Sequence, residues 1–214
     1  MRVVVAGGHG KVALLLESVL AERGDTPVGI VRNPAHVADV QQAGAQAVVL
    51  DLEAADVEDV AGVVRGADAV VFAAGGGPDS GPARKETVDK GAAILLADAA
   101  ERAGVRRYVM VSAMGTDRAD PDSHDVFQVY LRAKRAADED LMARDLDWTV
   151  VRPGRLTDDP STGRVRVGTL GPGEVTRADV AAVLAEVLLT GATVGKAFDL
   201  LAGDRSVDDA LAGL

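Results

Sequence analysis

Short apolar runs alternate with amphipathic stretches from the first residue onward. Val3–Ala6, Val28–Arg32, Ala47–Leu50, Ala69–Phe72 and Val105–Val111 are Val-rich and lack polar alternation. Such runs predict strands buried on both faces, as a parallel sheet covered by helices requires. Between them lie helical patterns: Gly10–Arg23, Pro34–Ala43, about Ala54 to Arg65, and Thr87–Ala103. Pro34 opens its helix where a missing N–H costs nothing, and Gly44 and Gly66 close theirs. Repeated strand–helix–strand units imply right-handed crossovers and an α/β, doubly wound parallel sheet.

The second half continues the pattern more loosely. Val126–Arg144 predicts a helix, Trp148–Val151 a strand, Arg177–Thr190 a helix and Ala197–Leu200 a last strand. Residues 153–175 are rich in Gly and Pro, and predict small excursions over the strand ends rather than a second domain. Residues 1–214 are therefore expected to form one domain. Arg152, Arg155, Arg164 and Arg166 are expected as solvated loop surface, although together they would welcome an anion.

Composition narrows the classes. The chain has no Cys, which excludes disulfides and thiolate metal sites and suits a reducing compartment; no metal is expected. A formal charge of -10 argues against a nucleic-acid partner. No apolar run approaches a membrane span, and the start lacks the features of a signal peptide, so a cytoplasmic location is expected. The expected partner is a small-molecule substrate; the residues give no oligomeric state.

The segment Gly7-Gly8-His9-Gly10-Lys11-Val12-Ala13 follows a strand and opens a helix. Glycines there permit a tight turn and a close approach of backbone N–H groups to a pyrophosphate, and the helix start offers unpaired donors. Ala13 is small enough for close helix–sheet packing. His9 and Lys11 are within reach of phosphate oxygens. A tight turn without ligand is the alternative.

A NAD site usually carries a carboxylate at the end of the second strand, for the ribose 2′-hydroxyl. Here that strand ends in Val31-Arg32-Asn33, and Arg32 offers a planar cation suited to a 2′-phosphate. The expected cofactor is therefore NADP rather than NAD. Asp51 and Leu52, after the third strand, would meet the adenine, or Asp51 would cap the next helix. Ala73, Ala74 and Gly75, after the fourth, would let the backbone pass beneath the cofactor.

Tyr130 and Lys134 form a Tyr-x-x-x-Lys on one helix face. An ammonium beside a phenol favours the phenolate, so Lys134 is expected to lower the Tyr130 pKa and make it a proton donor or acceptor. Ser112, at the end of the fifth strand, would bond the reacting oxygen. In the alternative, Tyr130 packs while Lys134 binds ribose hydroxyls.

These segments, with Gly104–Ala113, Leu146–Leu156 and Thr176–Ala181, resemble the atypical short-chain dehydrogenase/reductases. The nearest likeness is to small bacterial NAD(P)H-binding proteins related to biliverdin/flavin reductases and NmrA-like sensors. The resemblance implies a Rossmann-like domain with a small C-terminal substrate region, and Arg152-Pro153-Gly154 lining the nicotinamide end. It implies either an NADPH-dependent oxidoreductase of a small carbonyl, quinone or flavin, or a non-catalytic NADP(H) sensor.

Overall fold

The computed structural model describes residues 1–77 and 80–214. Seven parallel strands run β3 (Gln46–Val49), β2 (Thr26–Val31), β1 (Arg2–Ala6), β4 (Ala69–Phe72), β5 (Arg107–Val111), β6 (Asp147–Pro153), β10 (Lys196–Ala202) across one sheet. Antiparallel β8 (Arg164–Gly168) and β11 (Arg205–Ser206) extend it beyond β10. Strand order reverses between β1 and β4, which opens a crevice at their C-terminal ends.

The unbroken valine runs have a two-sided explanation. Val3 and Val5 of β1 pack with Leu16 and Leu20 of α1 (Lys11–Glu22) and with α7 (Arg177–Val187) on one face. Val4 and Ala6 pack on the other with Val60 and Val64 of α3 (Val57–Val64) and Leu96 of α5 (Ala93–Ala103). Successive strand side chains point to opposite faces, so a covered sheet needs every position apolar. Each fully buried Val or Leu contributes about 1.5–3 kcal/mol. No helix among the described residues is long and apolar enough to cross a membrane.

Two regions depart from the sequence reading. The helix expected from Thr87 starts earlier, at α4 (Pro82–Arg84), and passes through a π-helical segment, Lys85–Ala92, before α5. The wider π turn presents Lys85 and Asp89 to the interior alongside Val88 and Ala92. The second departure is the expected excursion at 153–175. It contains β8 as well as β7 (Arg155–Thr157) and β9 (Glu174–Thr176), which pair with each other. In β8 the alternation Arg164-Val165-Arg166-Val167 is that of a half-covered strand: Val165 is buried and both arginines are exposed. Helices α2 (Val37–Gln42), α6 (Val126–Met142) and the short C-terminal α8 (Val207–Leu211) complete the chain.

Candidate functional site

The strand ends around the reversal line a cleft of about 360 Å³, bounded by Gly7, His9, Gly10, Arg32, Asp51 and Ala74 among others. The turn after β1 is fixed by its own backbone: Gly8 N–H donates to Ile30 O at 2.9 Å, and Gly10 N–H to Gly7 O at 2.8 Å. Gly7 has φ of 83°, and a Cβ there would lie 2.6 Å from Ala74 Cα. At Gly8 a Cβ would lie 2.7 Å from Gly29 Cα. These two glycines are thus required by the close passage of β4 and β2, before any ligand is considered. Beyond them α1 begins at Gly10 with no side-chain cap and no acidic residue in its first turn. By contrast Asp56 caps α3, Asp125 caps α6 and Thr176 caps α7. The first amides of α1, with the positive end of the helix dipole, remain for an anion.

The other residues expected on the nucleotide side are placed as follows. Ala13 is buried against the sheet and Val12 packs at its margin. His9 stacks on His36 with ring centroids 3.6 Å apart and bonds Asp39 at 2.8 Å, and Lys11 pairs with Asp158 at 2.6 Å. Both side chains are therefore engaged by protein carboxylates. Asn33 caps the short helix Pro34–His36 through Ala35 N–H, and Asp51 accepts from Glu53 N–H at 3.0 Å. Leu52 packs at the edge of the core, while Ala73, Ala74 and Gly75 line the cleft. Arg32 also lines it, and its guanidinium bonds Glu53 at 2.9 Å. Glu53 and Arg84 are cleft residues that sequence reasoning missed. The nearest signal was a carboxylate two positions after the third strand's Asp51; Arg84 carries no local motif.

Farther along the strand ends lies a buried polar cluster. Lys134 is buried on α6 and donates to Val111 O at 3.1 Å and Ala74 O at 3.3 Å, with Asp89 Oδ1 at 3.6 Å. Asp89 in turn accepts from Gly76 N–H at 3.0 Å. Burial lowers the Lys134 pKa, and the charges of Asp89 and Asp138 oppose that shift. One turn after Lys134, Asp138 receives Arg152 at 3.0 Å. Burial raises the Asp138 pKa against the Ser112 hydroxyl and Arg152, which hold it down. Ser112 is buried at the end of β5. Its hydroxyl lies near Asp138 but outside bonding geometry, so Ser112 Oγ and Asp138 Oδ1 lack partners among the described residues. Pro153 is buried at the end of β6, where its carbonyl accepts from Met114 N–H at 3.0 Å. Arg152 is thus an interior ion-pair partner rather than solvated surface.

Tyr130 requires a correction. It is half-buried on α6, and its pKa is raised, by burial first and then by the charges of Asp89 and Asp138. The Lys134 ammonium is committed to two carbonyls and Asp89, and no hydrogen bond joins it to Tyr130 among the described residues. Lys85 lies over the phenol ring, 5.5 Å from its centroid, and is itself bonded to Gly77 O at 2.6 Å. Spacing on a helix put the two side chains on one face, but tertiary partners took the lysine.

Beneath the glycine turn sits another residue the sequence did not single out. Glu17 is fully buried in α1, its carboxyl against Gly8 and Gly29, with neither oxygen bonded among the described residues. Desolvation raises its pKa to about 8.

Residues 7–190 match the family model described as NAD(P)H-binding. The chain belongs to the NAD(P)H-binding family. It is 34% identical, over 99% of both chains, to a Bacillus subtilis protein described as an uncharacterised sugar epimerase, YhfK. A solved Bacillus halodurans structure, provisionally described as an NAD-dependent epimerase/dehydratase, is 40% identical over 100% of both chains with a TM-score of 0.92. The oxidoreductase YlbE of Lactococcus lactis is 28% identical, covers 100% of this chain and 96% of its own, and has a TM-score of 0.88. The expected Rossmann-like fold and the resemblance to atypical short-chain dehydrogenase/reductases are both borne out.

This NAD(P)H-binding protein has residues that fit a nicotinamide dinucleotide. The uncapped α1 terminus suits a pyrophosphate, and the cleft flanked by Arg32 and Asp51 suits an adenosine.

Proposed function

We propose that the protein is an NADPH-dependent oxidoreductase that reduces a small carbonyl, quinone or flavin. The observation that carries the reading is the convergence, at the C-terminal ends of the strands, of the uncapped α1 terminus, Arg32 and the buried Ser112–Lys134 cluster. A reduced nicotinamide supplies the hydride when bound. The chain's part is to position the acceptor and deliver a proton. Tyr130, kept protonated by its surroundings, suits the reducing direction, in which a phenol donates to the developing alkoxide. Ser112 would donate a hydrogen bond to the same oxygen. Lys134, held by Ala74 O and Val111 O, would meet the ribose hydroxyls. Preference for NADP over NAD rests on Arg32 at the cleft.

A second reading is a non-catalytic NADP(H) sensor. The separation of Lys134 from Tyr130 favours it, since the phenol lacks the activating cation. The deciding experiment follows NADPH oxidation against carbonyls, quinones and flavins, with sugar nucleotides included because of the relatives' epimerase names. Turnover lost in Tyr130→Phe with unchanged NADPH affinity supports the reductase. Tight NADPH binding with no turnover of any acceptor favours the sensor.

A further inference from the structure

The end of the cleft that holds Arg32 is built around a carboxylate. Glu53 Oε2 accepts from Arg32 at 2.9 Å and pairs with Arg84 at 3.1 Å, while Glu53 Oε1 accepts from Thr87 Oγ1 at 2.6 Å. The three charged residues come from three elements: the end of β2, the loop after β3, and α4. All three line the cleft. Glu53 is the most covered of them, with a side-chain exposure of 23% against 52% for Arg32 and 37% for Arg84.

We propose that Glu53 and Arg84 set the choice between 2′-phosphorylated and 2′-hydroxyl adenosine, with Glu53 competing against the phosphate for both guanidiniums. The proposal rests on the NADPH reading above and deepens it. Two guanidiniums against one carboxylate leave one net positive charge. A 2′-phosphate brings about two negative charges and is attracted to both arginines. It is also repelled by Glu53 and must share or displace its ion pairs. A 2′-hydroxyl has no such conflict, because it can donate to the Glu53 carboxylate while both arginines keep their partner. The site therefore accepts both nucleotides, and Glu53 reduces the advantage that Arg32 and Arg84 give the phosphate. Arg84 is a second phosphate ligand supplied by the helix that leads into the π segment.

The test uses adenosine 2′,5′-bisphosphate and 5′-AMP as probes, titrated by calorimetry into the full-length protein. Glu53→Gln keeps an acceptor for Thr87 and removes the charge. It should tighten the bisphosphate by about fivefold or more and should not tighten 5′-AMP, whose 2′-hydroxyl loses a charged acceptor. Arg84→Ala should weaken the bisphosphate about tenfold and leave 5′-AMP within about twofold, with Arg84→Lys recovering part of the loss. Equal shifts for both probes in Glu53→Gln and Arg84→Ala overturn the proposal. Arg32→Ala separates that failure from failure of the cofactor reading. If wild type prefers the bisphosphate and Arg32→Ala erases the preference, NADPH stands whatever Glu53 does. If wild type shows no preference and Arg32→Ala moves both probes equally, the NADPH reading fails. A preference that then emerges in Glu53→Gln still supports the role of Glu53, and its absence ends that role too. Thermal melting of each variant verifies that the fold persists.

Discussion

Lys134 Nζ lies 3.6 Å from Asp89 Oδ1, with both side chains almost fully buried. The pair ties α6 to the π-helical segment. Removing one charge leaves the other buried without its counterion. Lys134→Ala should therefore destabilise the protein by about 3–5 kcal/mol. Adding Asp89→Asn should return part of that loss. Denaturant unfolding of the two singles and the double measures the coupling; strict additivity would mean that the pair does not act as a unit.

Glu17 gives a pH dependence with a definite sign. Its pKa is raised from 4.5 to about 8 in the folded protein. Between those values the native state holds a proton that the unfolded chain has released. The contribution is fully present below pH 4.5 and is lost as pH rises toward 8, at about 1.4 kcal/mol per unit. Glu17→Gln stays neutral throughout. It should therefore gain at least about 2 kcal/mol relative to wild type between pH 5 and pH 8. Melting temperatures of both proteins across that range measure the gain, and parallel curves would count against it.

The two tyrosines should remain un-ionised in the folded state. Tyr108 is fully buried and donates to Ala93 O at 3.0 Å, and its pKa is raised well above the ordinary value by burial. Tyr130 is raised as well. Spectrophotometric titration of the native protein should show little phenolate absorbance by about pH 10, the ordinary tyrosine pKa. Both phenols should appear on unfolding. Early ionisation of a single phenol would indicate that Tyr130 is activated after all.

At Gly7, Ala would need φ of 83° and would drive its Cβ toward Ala74 Cα at 2.6 Å. Gly7→Ala should cost about 3 kcal/mol from backbone strain and overpacking together. Substitution at Gly62, where a Cβ meets nothing within 4 Å, should cost no more than a surface change. Comparing the two by chemical denaturation separates glycines required by close approach from those that are not.

Much of the architecture was readable in the linear pattern because covered parallel strands leave a strong mark. Val3-Val4-Val5-Ala6 has no polar position, and only a strand buried on both faces needs that. The strand–turn–helix around Gly7–Ala13 was legible for a similar reason: its requirements are local. Strand β8 was missed because its valines alternate with arginines in a Gly- and Pro-rich stretch, where a half-covered strand and a loop look alike. The π-helical start of the long helix was missed because its hydrogen-bond register leaves no residue signature in Lys85–Ala92.

The sequence by itself determined the sheet, the order of its strands' chemistry, and the position of the glycine turn, since these follow from periodicity and backbone freedom. Only the tertiary structure decided which charges meet. Lys134 sits one helical turn from Tyr130, yet it is taken by carbonyls of β4's loop and β5 and by Asp89 from another helix. Arg32, Glu53 and Arg84 are distant in the chain and form one ion-paired group in the cleft. Electrostatic partnership depends on distances of a few ångströms between elements, and local pattern carries no record of them.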